Sequence, residues 1–202
     1  MTKHIFWIAS YPKSGNTLLR SILISLFFTE KGIFNLKMLN KIPQFESADF
    51  VYRNKKLFNE YFKKINNINI FYKYILLMQK KKFLGFSEDF KFFKTHSGNF
   101  SLGGFDFTKE KNIRGIIYIV RDPRDICVSW SKHLNISIDK SINVMINETQ
   151  SILWNDNNER FLRKERPSSF LSSWEKHIIS WTSTKWKVPL LIIKYEDLVY
   201  KK

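Results

Sequence analysis

Residues 5–9 (Ile-Phe-Trp-Ile-Ala) form an apolar run of strand length, and they lead directly into Ser10-Tyr11-Pro12-Lys13-Ser14-Gly15-Asn16-Thr17. Beyond that loop Leu19, Ile22, Leu23 and Leu26 recur at i, i+3, i+4 and i+7, the spacing of an amphipathic helix. A short buried strand, a loop and a helix is therefore the predicted opening. Such a loop gathers unpaired N–H groups at the positive end of the helix dipole, which makes it a seat for phosphate. Pro12 stiffens the turn, Lys13 supplies a mobile cation and Gly15 lets the backbone come close. Ser14, Asn16 and Thr17 add side-chain hydrogen bonds. An ordinary strand-to-helix turn has no use for this cluster. Nor is it the loop of nucleotide triphosphatases, in which the lysine follows the second glycine; Lys13 precedes the only one here.

At 202 residues, 44% hydrophobic and 16% aromatic, the chain fits one globular domain, 1–202, with a sizeable core. No repeat and no Gly-, Pro- or Ser-rich linker divides it. The formal charge of +16 suits an anionic ligand, although lysine is used throughout. Lys80-Lys81-Lys82 reads as a solvated helix end, because no aromatic-interleaved basic ladder accompanies it, and no nucleic-acid partner is expected. Cys127 is the only cysteine, which excludes an internal disulfide and leaves a cysteine zinc site unsupported. The apolar run 17–28 is interrupted by Arg20 and is too short to span a bilayer, and the N-terminus has no leader pattern, so a cytoplasmic location is expected.

Residues 32–49 read as a connection with one short helix in which substrate specificity could reside, and 51–80 as two helices. Phe90 to Lys94 predicts a second strand ending at Thr95-His96-Ser97-Gly98, and strand ends are where open α/β sheets place their chemistry. Residues 98–111 form a polar, glycine-containing loop suited to gating a substrate. Ile116 to Val120 is the strongest strand, its unbroken apolar character fitting a central parallel position. After Arg121, Asp122 reads as an N-cap with Pro123 at N1 and Asp125 at N3. Ser129 lies about two turns on, facing back toward Arg121, so the two can converge on one anion. A helix over 138–154, a charged connection over 155–167 and a helix through Trp174, His177, Ile178 and Trp181 follow, the last face read as core packing. A strand over 189–194 ends at Tyr195-Glu196-Asp197-Leu198.

Four of these segments together resemble the sulfotransferases that use 3′-phosphoadenosine 5′-phosphosulfate (PAPS). Tyr11 to Thr17 is similar to their 5′-phosphosulfate loop, with Leu18 where the family often has tryptophan. Lys94-Thr95-His96 resembles the catalytic segment, Arg121 with Ser129 the 3′-phosphate motif, and Tyr195 to Leu198 a segment that reaches the adenosine. The resemblance implies an α/β fold, a mainly parallel sheet flanked by helices and related to P-loop nucleotide triphosphatases. It also implies PAPS as co-substrate, its desulfated form PAP as product, no metal, and a small-molecule, glycan or lipid acceptor with a hydroxyl or amine. His96 would be the general base, with Lys13 and Lys94 as catalytic cations. Lys13, Ser14, Gly15, Asn16 and Thr17 would hold the 5′-phosphosulfate, Arg121 and Ser129 the 3′-phosphate, and Tyr195 the adenosine. The resemblance covers the first two thirds of a usual domain of the family. A truncated, inactive PAP-binding chain, a kinase-like nucleotide enzyme and a basic nucleic-acid-binding module that would explain the charge are the competing expectations.

Overall fold

The computed structural model describes residues 3–47, 68–155 and 165–200, together with Arg53 and Lys56. Its centre is a four-stranded parallel sheet built from β1 (Ile5–Ser10), β2 (Lys91–Thr95), β5 (Ile113–Val120) and β8 (Leu190–Lys194), in the order β2-β1-β5-β8. Two small antiparallel pairs accompany it: β3 (Ser101–Leu102) with β4 (Phe105–Asp106), and β6 (Ser151–Asn155) with β7 (Glu165–Phe170). The helices are α1 (Asn16–Phe27), α2 (Ile68–Met78), α3 (Lys81–Leu84), α4 (Pro123–Leu134), α5 (Ile138–Ile146), α6 (Trp174–Thr182) and α7 (Tyr195–Tyr200). Among the described residues no helix is long and apolar enough to cross a membrane.

Both faces of the central strands are covered, which is why they read as continuous apolar runs. Trp7, Ala9, Phe93, Ile116 and Tyr118 pack with Phe71, Ile75 and Met78 of α2 and with Trp181 of α6. On the opposite face Ile8, Phe92 and Ile119 meet Leu19, Leu23 and Ile24 of α1. Trp7 is fully buried among Phe45, Phe93 and Phe107, with ring centroids 5.0 to 6.3 Å away. β8 is an edge strand whose Leu191 and Ile192 are about half exposed.

The chain leaves β1 for β2 on one side and returns past β1 to β5 on the other, so a switch in connection direction falls between β1 and β5. Beyond the carboxyl ends of such a strand pair lies a crevice that open α/β folds use for ligands. The register makes those ends level. Ala9 pairs with Thr95, Ser10 with Ile119 and Val120 with Lys194, which sets His96 beside Ser10 and Arg121 beside Tyr195.

The expected strands at 90–94, 116–120 and 189–194 correspond to β2, the end of β5, and β8. The expected helix over 138–154 stops at Ile146 instead, because the Asn147 side chain accepts hydrogen bonds from the Thr149 N–H and hydroxyl, both at 2.9 Å, and turns the chain. The following residues enter β6, so the region read as a charged connection ends in a β-hairpin. The 98–111 loop is pinned: its Gly103-Gly104 turn closes β3–β4, and Phe107 is buried with its carbonyl accepting from Gln79 at 2.6 Å. Of the two helices expected over 51–80, α2 is described and most of the rest lies outside the described residues.

Because Trp7 fills the junction of sheet, α2 and the 98–111 hairpin, Trp7→Ala is expected to cost about 3–5 kcal/mol. Urea unfolding should show this as a lower midpoint with little change in slope.

Candidate functional site

The loop after β1 is folded by two left-handed residues, Lys13 at φ 67° and Gly15 at φ 94°. Alternating backbone handedness curls successive N–H groups inward, and the free N–H groups of the first turn of α1 continue the concavity. Gly15 is required twice over. Its φ is one that side chains rarely adopt, and a Cβ there would overlap the ring of Tyr195. The guanidinium of Arg121 also lies against the Tyr195 ring, 4.2 Å from its centroid. Arg121 in turn donates to the Lys13 carbonyl at 3.0 Å and approaches Asp125 at 3.7 Å. One aromatic ring thus joins the loop after β1 to the arginine after β5.

The helix after β5 starts as the sequence suggested. Asp122 caps the Arg124 N–H at 2.9 Å, Pro123 opens α4 and Asp125 lies in the first turn. Ser129 faces the same cavity as Arg121. Within the loop, Asn16 directs its amide nitrogen inward, donating to the Ile8 carbonyl at 3.3 Å and Ser10 Oγ at 3.1 Å. That nitrogen braces the loop. Ser14 is buried and is absent from the cavity wall. Its Oγ is buried without a hydrogen-bond partner among the described residues, as is the Nε of Arg121, whose side chain does line the cavity.

His96 stands at the end of β2. Its Nδ1 lies 2.8 Å from the Ser10 carbonyl, and since a carbonyl only accepts, Nδ1 carries the proton and Nε2 keeps its lone pair. Burial, reinforced by nearby Lys94, holds the imidazole well below its usual pKa, so it is neutral at pH 7. Burial also lowers Lys94, to about 8, with Arg20 adding to the shift and Glu46 opposing it. Lys94 Nζ donates to Gln44 Oε1 at 3.1 Å. Gln44 is held there because residues 43–45 pair with the edge of β2: the Lys94 N–H donates to the Pro43 carbonyl at 2.9 Å, and the Phe45 N–H to the Lys94 carbonyl at 2.8 Å. Glu46 beside it is fully buried, accepting from the Thr95 hydroxyl, and burial raises its pKa.

A cavity of about 790 Å³ collects these groups. Lys13, Gly15, Asn16, Thr17, Lys94, His96, Arg121, Ser129 and Tyr195 all line it; of the residues nominated from sequence only Ser14 does not. Gln44, His133 and Gln150 line it as well and were not singled out from sequence. Gln44 had one available signal, its place in the connection suspected of specificity. The arrangement offers a neutral base, two lysines and an arginine around one space. A more apolar cavity of about 720 Å³ between α4, α5 and the start of α6 holds none of these residues.

The contact between Gly15 and Tyr195 sets up a double-mutant test. Gly15→Ala is expected to destabilise the fold by about 1–3 kcal/mol through left-handed strain and overlap. Tyr195→Ala should remove the overlap and leave only the backbone penalty, so urea denaturation of the double variant should show less than the sum of the single losses.

Residues 3–201 match the family model described as Sulfotransferase domain. No curated protein matches the chain in sequence. Among solved structures, it is similar to a mouse sulfotransferase complexed with PAP (TM-score 0.52, 14% identity), covering 100% of this chain and 54% of that one. It is similar too to retinol dehydratase, in complex with androsterone and inactive cofactor PAP (TM-score 0.52) and with retinol and PAP (TM-score 0.51). Both retinol dehydratase matches are at 15% identity and cover 98% of this chain and 56% of the other. The chain therefore spans about half the length of these structures, and at such identities the likeness is one of fold: a central parallel sheet flanked by helices. With nearly its whole length matched by the family model, the chain belongs to the sulfotransferase domain family.

Proposed function

We propose that the chain is a sulfotransferase that takes its sulfuryl group from PAPS and passes it to a hydroxyl or amine of a small-molecule, glycan or lipid acceptor. The observation carrying this reading is the convergence of His96, Lys13, Lys94 and Arg121 on one cavity at the strand ends. A bisphosphorylated donor needs two anion seats, and two groups of cavity residues suit that role. The loop of Lys13, Ser14, Gly15, Asn16 and Thr17 suits the 5′-phosphosulfate, its backbone and Lys13 facing the anion while Asn16 braces it. Arg121 and Ser129 suit the 3′-phosphate, and Tyr195, wedged between Gly15 and Arg121, holds the two seats at fixed separation beside the adenosine. PAP in the related crystal structures fits this donor.

The acceptor oxygen or nitrogen bonds to sulfur as the bond from sulfur to the 5′-phosphate oxygen breaks. His96 Nε2 takes the acceptor proton, for which its fixed tautomer leaves the lone pair available. Lys13 faces the charge that accumulates on the departing phosphate, and Lys94, oriented by Gln44, faces the sulfuryl oxygens. Both act as preplaced cations in a partly dehydrated cavity, where Coulombic stabilisation exceeds its value in water. A chain whose only cysteine is Cys127 suits a reducing, cytoplasmic setting.

Lys13→Ala and Arg121→Ala should each weaken PAP binding by about tenfold or more in calorimetry, the loss of one or two charge-assisted hydrogen bonds. His96→Ala should retain PAP affinity while losing about 10²- to 10⁴-fold in transfer rate. Unchanged affinity in both cation variants would remove the donor assignment.

The pH profile has a defined sign. His96 is neutral, and so competent as a base, throughout the neutral range because its pKa is lowered. Lys94 loses its charge as pH rises through about 8. The transfer rate is therefore expected to stay level toward neutrality and fall above about pH 8. Lys94→Arg should displace the fall upward, since a guanidinium keeps its proton.

A further inference from the structure

Two buried polar side chains outside the cavity, His177 and Tyr118, carry a hydrogen-bond relay that ends on the backbone of His96. His177 sits fully buried on α6, on the face shared with Trp181. Its Nε2 lies 2.9 Å from the backbone carbonyl of His96, and its Nδ1 2.8 Å from the Tyr118 hydroxyl. The carbonyl can only accept, so Nε2 carries the proton, Nδ1 is the acceptor and the tyrosine donates to it. Burial pushes His177 down to about 4 and raises Tyr118, so the ring is neutral and the hydroxyl protonated under ordinary conditions.

The Ser10 carbonyl receives His96 Nδ1–H at 2.8 Å, while Tyr118 and His177 reach the main-chain carbonyl of the same histidine. Tyr118 donates to His177 and His177 to His96, in one direction. Bonds aligned in this manner polarise and reinforce one another in a low-dielectric interior. The T-shaped contact of Tyr11 with the His177 ring, 5.4 Å between centroids, adds packing to the same junction. Neighbouring residues of α6 strap the strand end further: Trp181 donates to the Ser97 carbonyl at 3.0 Å, and Ser180 Oγ accepts from the Asn99 N–H at 3.0 Å.

We propose that His177, seconded by Tyr118, is a positioning residue that fixes the tautomer and placement of His96 relative to the first peptide of the phosphate-binding loop. It touches neither donor nor acceptor. The proposal rests on the reading of His96 as the base for its effect on rate, but not for its effect on the His96 ring. Without the relay, the His96 main chain loses a partner at one end, and the Nδ1–H bond to Ser10 at the other end is no longer held in line.

The test compares the full chain with His177→Phe, which retains an aromatic ring without hydrogen-bonding atoms, and with His177→Gln, whose amide restores an N–H donor. ¹⁵N NMR of the imidazoles in the PAP-bound protein reads the His96 tautomer directly. The parent should show one protonated and one unprotonated ring nitrogen at His96. In His177→Phe the two signals should move toward each other as the tautomers mix, with PAP affinity within about twofold of the parent, and His177→Gln should return them. With PAPS and p-nitrophenol, a catalytically active parent should lose about tenfold to a hundredfold in kcat on His177→Phe, with KM for PAPS little changed. Should His177→Phe fail to fold, Tyr118→Phe, which deletes only the hydroxyl, should give the same mixing of His96 signals. An unaltered His96 tautomer in the folded variant, or a loss of PAP affinity in step with a loss of stability, overturns the proposal. A parent that fixes the tautomer through His177 but transfers nothing to the phenol upholds the positioning role and counts against the proposed reaction alone.

Discussion

Parallel pairing of β1 with β5 is the constraint on which the remaining structure depends. Because connections depart to opposite sides of this pair, the residues just past both strands face a common crevice. The register then decides which side chains meet. Ser10 level with Ile119, Ala9 with Thr95 and Val120 with Lys194 bring the starts of the loop, of the His96 segment, of α4 and of α7 to one height. A slip by one residue would send Trp7 and Tyr118 toward the α1 face and Ile8 toward the α2 face, whose spaces fit neither, so the packing that stabilises the sheet also enforces the alignment of the strand ends.

Burial sets the chemistry of the aligned groups. Lys94, His96 and His177 all have lowered pKa values, in each case chiefly because a charged form is costly away from water. The consequences differ with the group. His96 is left a neutral imidazole with an assigned tautomer, His177 a neutral ring between Tyr118 and the His96 carbonyl, and Lys94 a cation whose charge is lost only modestly above neutrality. Tyr195 shows the same economy in packing: its ring satisfies the space over Gly15 and the face of Arg121 at once, so one side chain couples the loop after β1 to the arginine after β5.

Much of this was legible because it is local. Unbroken apolar runs announce strands buried on both faces, and the loop from Tyr11 to Thr17 and the Asp122-Pro123 helix start carry their signals within a few residues. The β6–β7 hairpin was not legible, since Glu165 to Phe170 includes a proline and charged residues without alternation, and its pairing is settled by the partner strand. His177 looked like one more residue of an apolar helix face beside Trp174 and Trp181. Its partners lie 59 and 81 positions away, so only the fold could show that a polar atom at that position is used. Asn16 illustrates the same limit at short range: its residue type suits an anion, but its amide nitrogen is already engaged by β1.

The central claim is that the cavity recognises phosphates at both the 3′ and the 5′ positions of one nucleoside. Calorimetric titration of the full chain with PAP, adenosine 5′-monophosphate and ATP with magnesium tests it most directly. The account predicts PAP to bind at least about tenfold tighter than the monophosphate, the contribution of the Arg121–Ser129 seat, and tighter than ATP. Equal affinity for PAP and the monophosphate, or preference for magnesium ATP, would contradict it.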